Sequence, residues 1–238
     1  MQTLHDQLKI GEIVSQNYRA AGLFRKYDID FCCGGGISIA EACKRKNINS
    51  GKLLAELEQE LEGNQATAEN YNQWSIPLLI TYIEETHHKY VRAKTDELLA
   101  FASKVAWRHG DSHPENVEIF NTLSAMVPEL MEHLESEERR VFPLISEVYE
   151  QTRDDGSVSP ELALSLKSEF TAMENEHESA GDAMKKIREL SHQFTPPEGA
   201  CTTYRVLYEG LEDFERDLHK HVHLENNILF VKAIHLLP

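Results

Sequence analysis

A histidine followed four residues later by a glutamate, both on the apolar stripe of a helix, occurs twice in this chain and sets what it can fold into. In the first copy, Leu123, Met126, Leu130, His133, Glu137, Val141, Leu144 and Val148 recur with the 3.6-residue period of one helix face. In the second, Tyr204, Leu207, Leu211, Phe214, Leu218, His221, Glu225 and Ile228 do the same. Each histidine has apolar residues eight and nine positions later: Val141 and Phe142, then Leu229 and Phe230. A third stripe, Leu166, Phe170, Met173, His177, Ala180, Met184 and Ile187, carries one histidine, and a fourth segment carries the pair His87 and His88. An isolated dry carboxylate is very costly, so ionisable groups on core-facing stripes must be paired, neutralised or metal-bound. One such pair is compatible with a satisfied core histidine. Four histidine-bearing helices with two added carboxylates form a ligand set.

Four imidazoles and two carboxylates suit a pair of borderline metals, with each glutamate able to bridge both ions. Thiolates would favour zinc or a cluster, and an all-oxygen set calcium or magnesium. Iron is the natural occupant, as a carboxylate-bridged, non-haem di-iron centre. Ferritin-like bundles build such centres from Glu-x-x-His, so the His-x-x-x-Glu spacing points to a hemerythrin-like bundle. On the first long helix, Ile80, Ile83, Tyr90, Leu98 and Phe101 fit a face centred on His87 as well as one centred on His88. Periodicity leaves that choice open. Glu84, Glu129 and Asp217 stand one turn before His88, His133 and His221 and are candidates to receive a ring N–H, Glu129 first because it adjoins the stripe. His219 shares its face with Glu212 and Glu215, which reads as solvent. His5, His109, His113, His192 and His235 read as ordinary surface histidines.

Forty acidic against 24 basic residues give a formal charge of −16, which repels nucleic acid and anionic membrane surfaces. No apolar run reaches bilayer-spanning length and Met1 to Glu12 lacks the regions of a secretory signal, so the expected location is cytoplasmic. Cys32, Cys33, Cys43 and Cys201 are too few and too irregular for a disulfide framework, and reduced thiols are expected.

In chain order, residues 1–63 read as a small helical domain, 64–74 as a linker and 75–238 as an up-down-up-down four-helix bundle, an all-α chain. A first short helix is expected from about Gly11 to Tyr27, a second after the capping box Ser38-Ile-Ala-Glu41, and a third near Ser50. Between the first two, Asp30-Phe-Cys32-Cys33-Gly34-Gly35-Gly36 is expected to present its thiols at a surface, ahead of a helix N-terminus that would lower a thiol pKa. The four long helices are expected over 76–107, from the break at His109–Pro114 to about Tyr149, over 160–194, and from Gly199 almost to the C-terminus. Pro143 is expected to bend the second of these just past the ligands.

The segments Leu23-Phe-Arg-Lys-Tyr-Asp-Ile-Asp-Phe-Cys-Cys-Gly-Gly35, Met173-Glu-Asn-Glu-His177-Glu-Ser-Ala-Gly181, Ala200-Cys-Thr-Thr203 and His221-Val-His-Leu-Glu-Asn-Asn-Ile-Leu-Phe230 resemble the di-iron repair-of-iron-centres proteins of the ScdA/YtfE type. The resemblance covers essentially the whole chain. It implies that His88, His133, Glu137, His177, His221 and Glu225 hold two irons, with Glu137 and Glu225 bridging, and it selects His88 over His87. It also implies repair of iron-sulfur clusters damaged by nitric oxide or peroxide through iron supply, with Cys32 and Cys33 assisting transfer or redox chemistry. Proteins carrying damaged clusters would be its partners and nitric oxide or oxygen its small ligands; a homodimer is left open. Two other functions fit the same ligands: reduction of nitric oxide or peroxide, and reversible sensing of nitric oxide or oxygen. Val231 stands where the family has proline, and the glycine run after Cys33 is one residue longer; neither change touches a ligand.

Overall fold

The computed structural model describes residues 4–62, 70–154 and 157–238. Three of its helix starts follow caps written in the sequence. Ser38 Oγ accepts from the Glu41 amide at 3.2 Å, Ser75 Oγ from Leu78 and Ser159 Oγ from Leu162, the last two ahead of prolines in the first helical turn. The amino-terminal unit contains α1 (Ile10–Gln16), α2 (Ala20–Lys26), α3 (Ile39–Lys46) and α4 (Ser50–Glu62). The single helix expected over 11–27 is two helices. Asn17 is extended, and its side-chain oxygen accepts from the Arg19 amide at 3.1 Å, which ends one helix and starts the next.

Four long helices follow. α5 (76–109) and α6 (115–154) pack side by side, α6 packs on α7 (Pro160–Leu190), and α8 (202–234) closes the bundle against both α5 and α7. Among the described residues there is no strand, only an isolated bridge between Lys9 and Ser38. α7 stops at Leu190 rather than Phe194, because His192, Gln193 and Phe194 adopt positive φ of 51°, 58° and 56°. Of the expected linker 64–74, residues 64–69 lie outside the described residues, and Tyr71–Gln73 forms a 3₁₀ turn with Tyr71 buried.

Three of the long helices contain a π segment: Ile83–His88 in α5, Glu137–Val141 in α6 and Glu225–Leu229 in α8. Such a turn takes one extra residue and rotates everything after it relative to the 3.6-residue stripe. After Val141 the buried residues are therefore Phe142, Ile145 and Val148: Val148 is on the expected stripe, but Ile145 takes the place of Leu144, which is only half-buried. In α5 the wide turn brings His87 and His88 both inside, at 1% and 0% exposure, so neither periodicity choice was complete. Pro143 stands two residues past one π segment, but the segment in α8 has the same form with Val231 in that place, so proline does not cause it.

The amino-terminal unit lies against α8. Phe31 sets its ring edge-on to His219 and His223, 5.8 and 5.9 Å between centroids, and Tyr18 meets His223. The Lys220 ammonium sits over the rings of Tyr18, Tyr71 and Tyr82, at 5.3, 5.0 and 5.8 Å, joining that unit to α5 and α8. The face read as solvent is thus covered in part: Glu215 is 3% exposed and His219 half-buried, with His223 beside them buried, while Glu212 is exposed as expected. A stripe analysis of α8 alone could not register a second body packing on its back.

Candidate metal centre

The hydrophobic core is split into two clusters, and between them lies a polar layer of four histidines and two glutamates. His88, Glu137, His221 and Glu225 offer atoms within 4.8 Å of one another, and so do His133, Glu137, His177 and Glu225. The two glutamates belong to both groups. All four rings turn Nε2 inward, 3.1 Å apart in His88 and His221 and 3.0 Å apart in His133 and His177. Glu137 Oε2 is 3.3 Å from His88 Nε2 and 3.4 Å from His133 Nε2, with Oε1 3.7 Å from His177 Nε2. Glu225 Oε1 is 2.9 Å from His221 Nε2 and its Oε2 3.2 Å from His177 Nε2.

Both glutamates are fully buried, and both oxygens of Glu137 and Oε2 of Glu225 lack a hydrogen-bond donor of good geometry. Orphaned buried carboxylate oxygens are rare and costly, and cations that compensate them fit this donor set of imidazole and carboxylate. Burial pulls His88 down, but Glu137 and Glu225 outweigh it and push its pKa up to about 10. The same glutamates raise His177 well above its usual value against burial. Burial would raise Glu225, but His221, His177 and His88 hold it well below the carboxylate range. The negative pair thus keeps positive charge between its carboxylates, protons in the absence of a metal.

Three of the four outer ring nitrogens are held from residues that spacing did not indicate, while Nδ1 of His221 has no partner of good geometry. His88 Nδ1 donates to Glu138 at 2.7 Å, His133 Nδ1 to Glu176 at 2.7 Å, and His177 Nδ1 to Asn226 Oδ1 at 2.9 Å. These bonds fix the tautomer that leaves Nε2 free. The expected acceptors Glu84 and Glu129 are replaced, and Asp217 serves His87, at 2.9 Å, instead of His221. The reason is helix geometry: Nδ1 points away from its own helix axis, toward the neighbouring helix. The available signal was the repeat itself, since Glu138 and Asn226 each directly follow the glutamate of their copy. Phe142 stacks on His88 and Phe230 on His177, giving the apolar residues of each repeat a place beside a ligand of the other helices. His87, not among the six, lies parallel to His221 with centroids 5.5 Å apart. A cavity of about 770 Å³ opens between α6 and α7 onto His133, His177 and His221.

The thiols are placed differently from expectation. Cys33 is half-buried beside a second cavity of about 620 Å³, whereas Cys32 is buried. The Cys33 thiol, then burial and Asp30, push the Cys32 pKa well above the usual thiol range. No helix starts behind them: α3 begins at Ile39, and the amides of Cys32, Cys33 and Gly34 are spent on the Asp30 carboxylate, at 2.8, 3.1 and 2.8 Å. His109 Nε2 lies 3.4 Å from Cys201 Sγ, a pairing between the end of α5 and the residue capping α8 that the sequence did not signal.

Residues 79–233 match the hemerythrin HHE cation-binding domain, and residues 6–61 match the ScdA amino-terminal domain, which is described as of unknown function. The iron-sulfur cluster repair protein YtfE of Pectobacterium carotovorum is 35% identical over 94% of this chain and 96% of its own length. The chain belongs to the ScdA/YtfE family. Its member from Staphylococcus haemolyticus, the iron-sulfur cluster repair protein ScdA, is 34% identical with the same coverage, and the YtfE of Yersinia pseudotuberculosis is 35% identical over 91% of each chain. The hemerythrin match spans all six residues of the polar layer. Among the described residues no helix is long and apolar enough to cross a membrane.

Proposed function

We propose that this chain repairs iron-sulfur clusters damaged by nitrosative or oxidative stress, and that it does so by supplying iron held as a pair of ions on His88, His133, Glu137, His177, His221 and Glu225. The observation that carries this reading is the sharing of Glu137 and Glu225 between the two ligand groups, which is the arrangement a carboxylate-bridged pair needs. The names of the relatives support the repair role. When bound, the ions supply one-electron chemistry and are themselves the cargo. The protein's part is orientation and shielding: Glu138, Glu176 and Asn226 keep the Nδ1 protons, the apolar clusters exclude water, and the cavity beside His133 opens onto the ligands. Damaged iron-sulfur proteins of the cytoplasm are the partners, approached from this opening.

Freshly purified protein should contain about two irons per chain. His177→Ala should lose most of that metal and fail to restore a purified iron-sulfur enzyme inactivated by peroxide; full restoration by that variant would overturn the donor role. The same cavity favours a second reading, reduction of nitric oxide or peroxide at the centre. Sustained turnover with a reductant would favour it, and a single stoichiometric reaction would exclude it.

A further inference from the structure

One side chain ties the peptide between Cys32 and Cys33 to the metal centre. Asn227 Nδ2 donates to the carbonyl of Cys32 at 2.9 Å and to that of Phe31 at 3.4 Å. It reaches them because two neighbours lack side chains. A Cβ on Gly11 would stand 2.2 Å from Asn227 Oδ1, and one on Gly35 would stand 2.5 Å from the Phe31 carbonyl and 3.1 Å from the same amide oxygen. Asn227 lies in the π segment that begins at Glu225, and Asn226 between them holds His177 Nδ1. Three consecutive residues thus contact, in order, both ligand groups, the ring of a ligand and the cysteine loop. The two sulfurs are 3.8 Å apart, with Cys33 beside the second cavity, which Asn226 also lines.

We propose that Cys32 and Cys33 are a peroxide-oxidised modification site whose disulfide loosens the metal centre through Asn227; the consequence for iron rests on the iron-holding reading above. Cys33, the accessible sulfur, attacks one peroxide oxygen as its thiolate; the O–O bond breaks, the departing oxygen leaves as water, and Cys33 becomes a sulfenic acid. Cys32 then attacks the Cys33 sulfur, the S–O bond breaks, a second water leaves and the S–S bond forms. Two thiols lose two electrons and peroxide gains them. Neighbouring Cα atoms stand about 3.8 Å apart across a trans peptide, short of the usual span of about 4.4–6.8 Å for a disulfide. Closing the ring must therefore turn the Cys32–Cys33 peptide, whose oxygen is the one Asn227 holds at 2.9 Å. Freed of that bond, Glu225–Leu229 keeps only the longer bonds of Asn227 to the amino-terminal unit, to the Phe31 carbonyl and from Ser15 Oγ, each at 3.4 Å, and the grip of Glu225 and Asn226 on the centre weakens.

The test uses the full chain, metal-free and iron-loaded, with stoichiometric hydrogen peroxide. In metal-free protein, the peptide holding both cysteines should lose two hydrogens by mass spectrometry, and amide exchange across 225–229 should rise about tenfold, the effect of one or two lost hydrogen bonds. In iron-loaded protein, transfer of iron to a chelator should accelerate by a similar factor. Cys33→Ser should abolish both responses. Asn227→Ala should show the faster exchange and release already when reduced, and no further change on oxidation. A disulfide that forms without altering exchange or release overturns the coupling, and absence of a Cys32–Cys33 disulfide overturns the site. If exchange responds but the chain takes up no iron, the coupling stands and the iron-holding reading falls.

Discussion

The carboxylate of Glu138 accepts from His88 Nδ1 at 2.7 Å, and it also receives both terminal nitrogens of Arg92, at 2.7 and 3.1 Å. Burial acts to raise its pKa, but Arg92 and His88 hold the carboxyl below the usual range, so it is an anion that the ring can rely on as an acceptor. Removing the acceptor frees the ring to turn and lowers the basicity of Nε2. Glu138→Ala should therefore weaken metal retention by about 10–100-fold, read by competition with a chelator. Arg92→Ala, which leaves the Glu138–His88 bond in place, should cost much less. Equal losses in the two variants would mean that Glu138 acts through the surface ion pair.

The adjacent histidines of α5 separate cleanly by their partners. His88 Nε2 faces Glu137 and His221, whereas His87 Nδ1 is taken by Asp217 and its Nε2 has no partner of good geometry. His88→Ala should lose most bound metal. His87→Ala should keep the metal stoichiometry while destabilising the fold by about 2–4 kcal/mol, since it empties a buried site and unpairs Asp217. Elemental analysis beside urea denaturation of both variants checks this, and metal loss from His87→Ala equal to that from His88→Ala would contradict the assignment.

Much of this architecture was legible because a buried stripe with period 3.6 constrains residues along its whole length. The straight helix α7 follows its stripe from Leu166 to Ile187, with His177 where the period puts it. Legibility failed where a second body or an extra residue intervened. The π segment of α5 brings both histidines inward, a state no fixed period can express. The orienting partners Glu138, Glu176 and Asn226 depend on which helix lies beside which, and Glu215 is buried by a unit more than 150 residues away in sequence.

Val231 tests whether the π segment belongs to the site or to the proline. In both repeats the segment closes with the same bond, from the Phe142 amide to the Glu137 carbonyl and from the Phe230 amide to the Glu225 carbonyl. The next residue is Pro143 in one and Val231 in the other, the latter 42% exposed. Equivalent backbone already accommodates a proline ring, so Val231→Pro should change stability by less than about 1 kcal/mol, against the 3 kcal/mol or more expected inside a regular helix. Metal content should be unchanged. A loss of several kcal/mol in thermal denaturation would show that the two segments differ in their hydrogen bonding beyond the closing bond.

Glu215 gives the chain a stability term with a definite pH sign. Burial pushes its carboxyl up to about 7, although Arg188 Nε lies 3.5 Å away and Arg25 is near. The folded state therefore holds this proton to higher pH than the unfolded chain does. The contribution is fully present below the unfolded value and is lost as pH rises through 7. Replacing Glu215 by glutamine keeps the shape and removes the titration. Urea denaturation of both proteins at pH 5.8 and 8, above the sequence pI of about 5.2, isolates the effect, because other titrating groups cancel in the difference. Relative to the parent, Glu215→Gln should gain about 1.5 kcal/mol between the two pH values. A difference that is flat with pH would mean that the guanidinium of Arg188 fully offsets the cost of burying the charge.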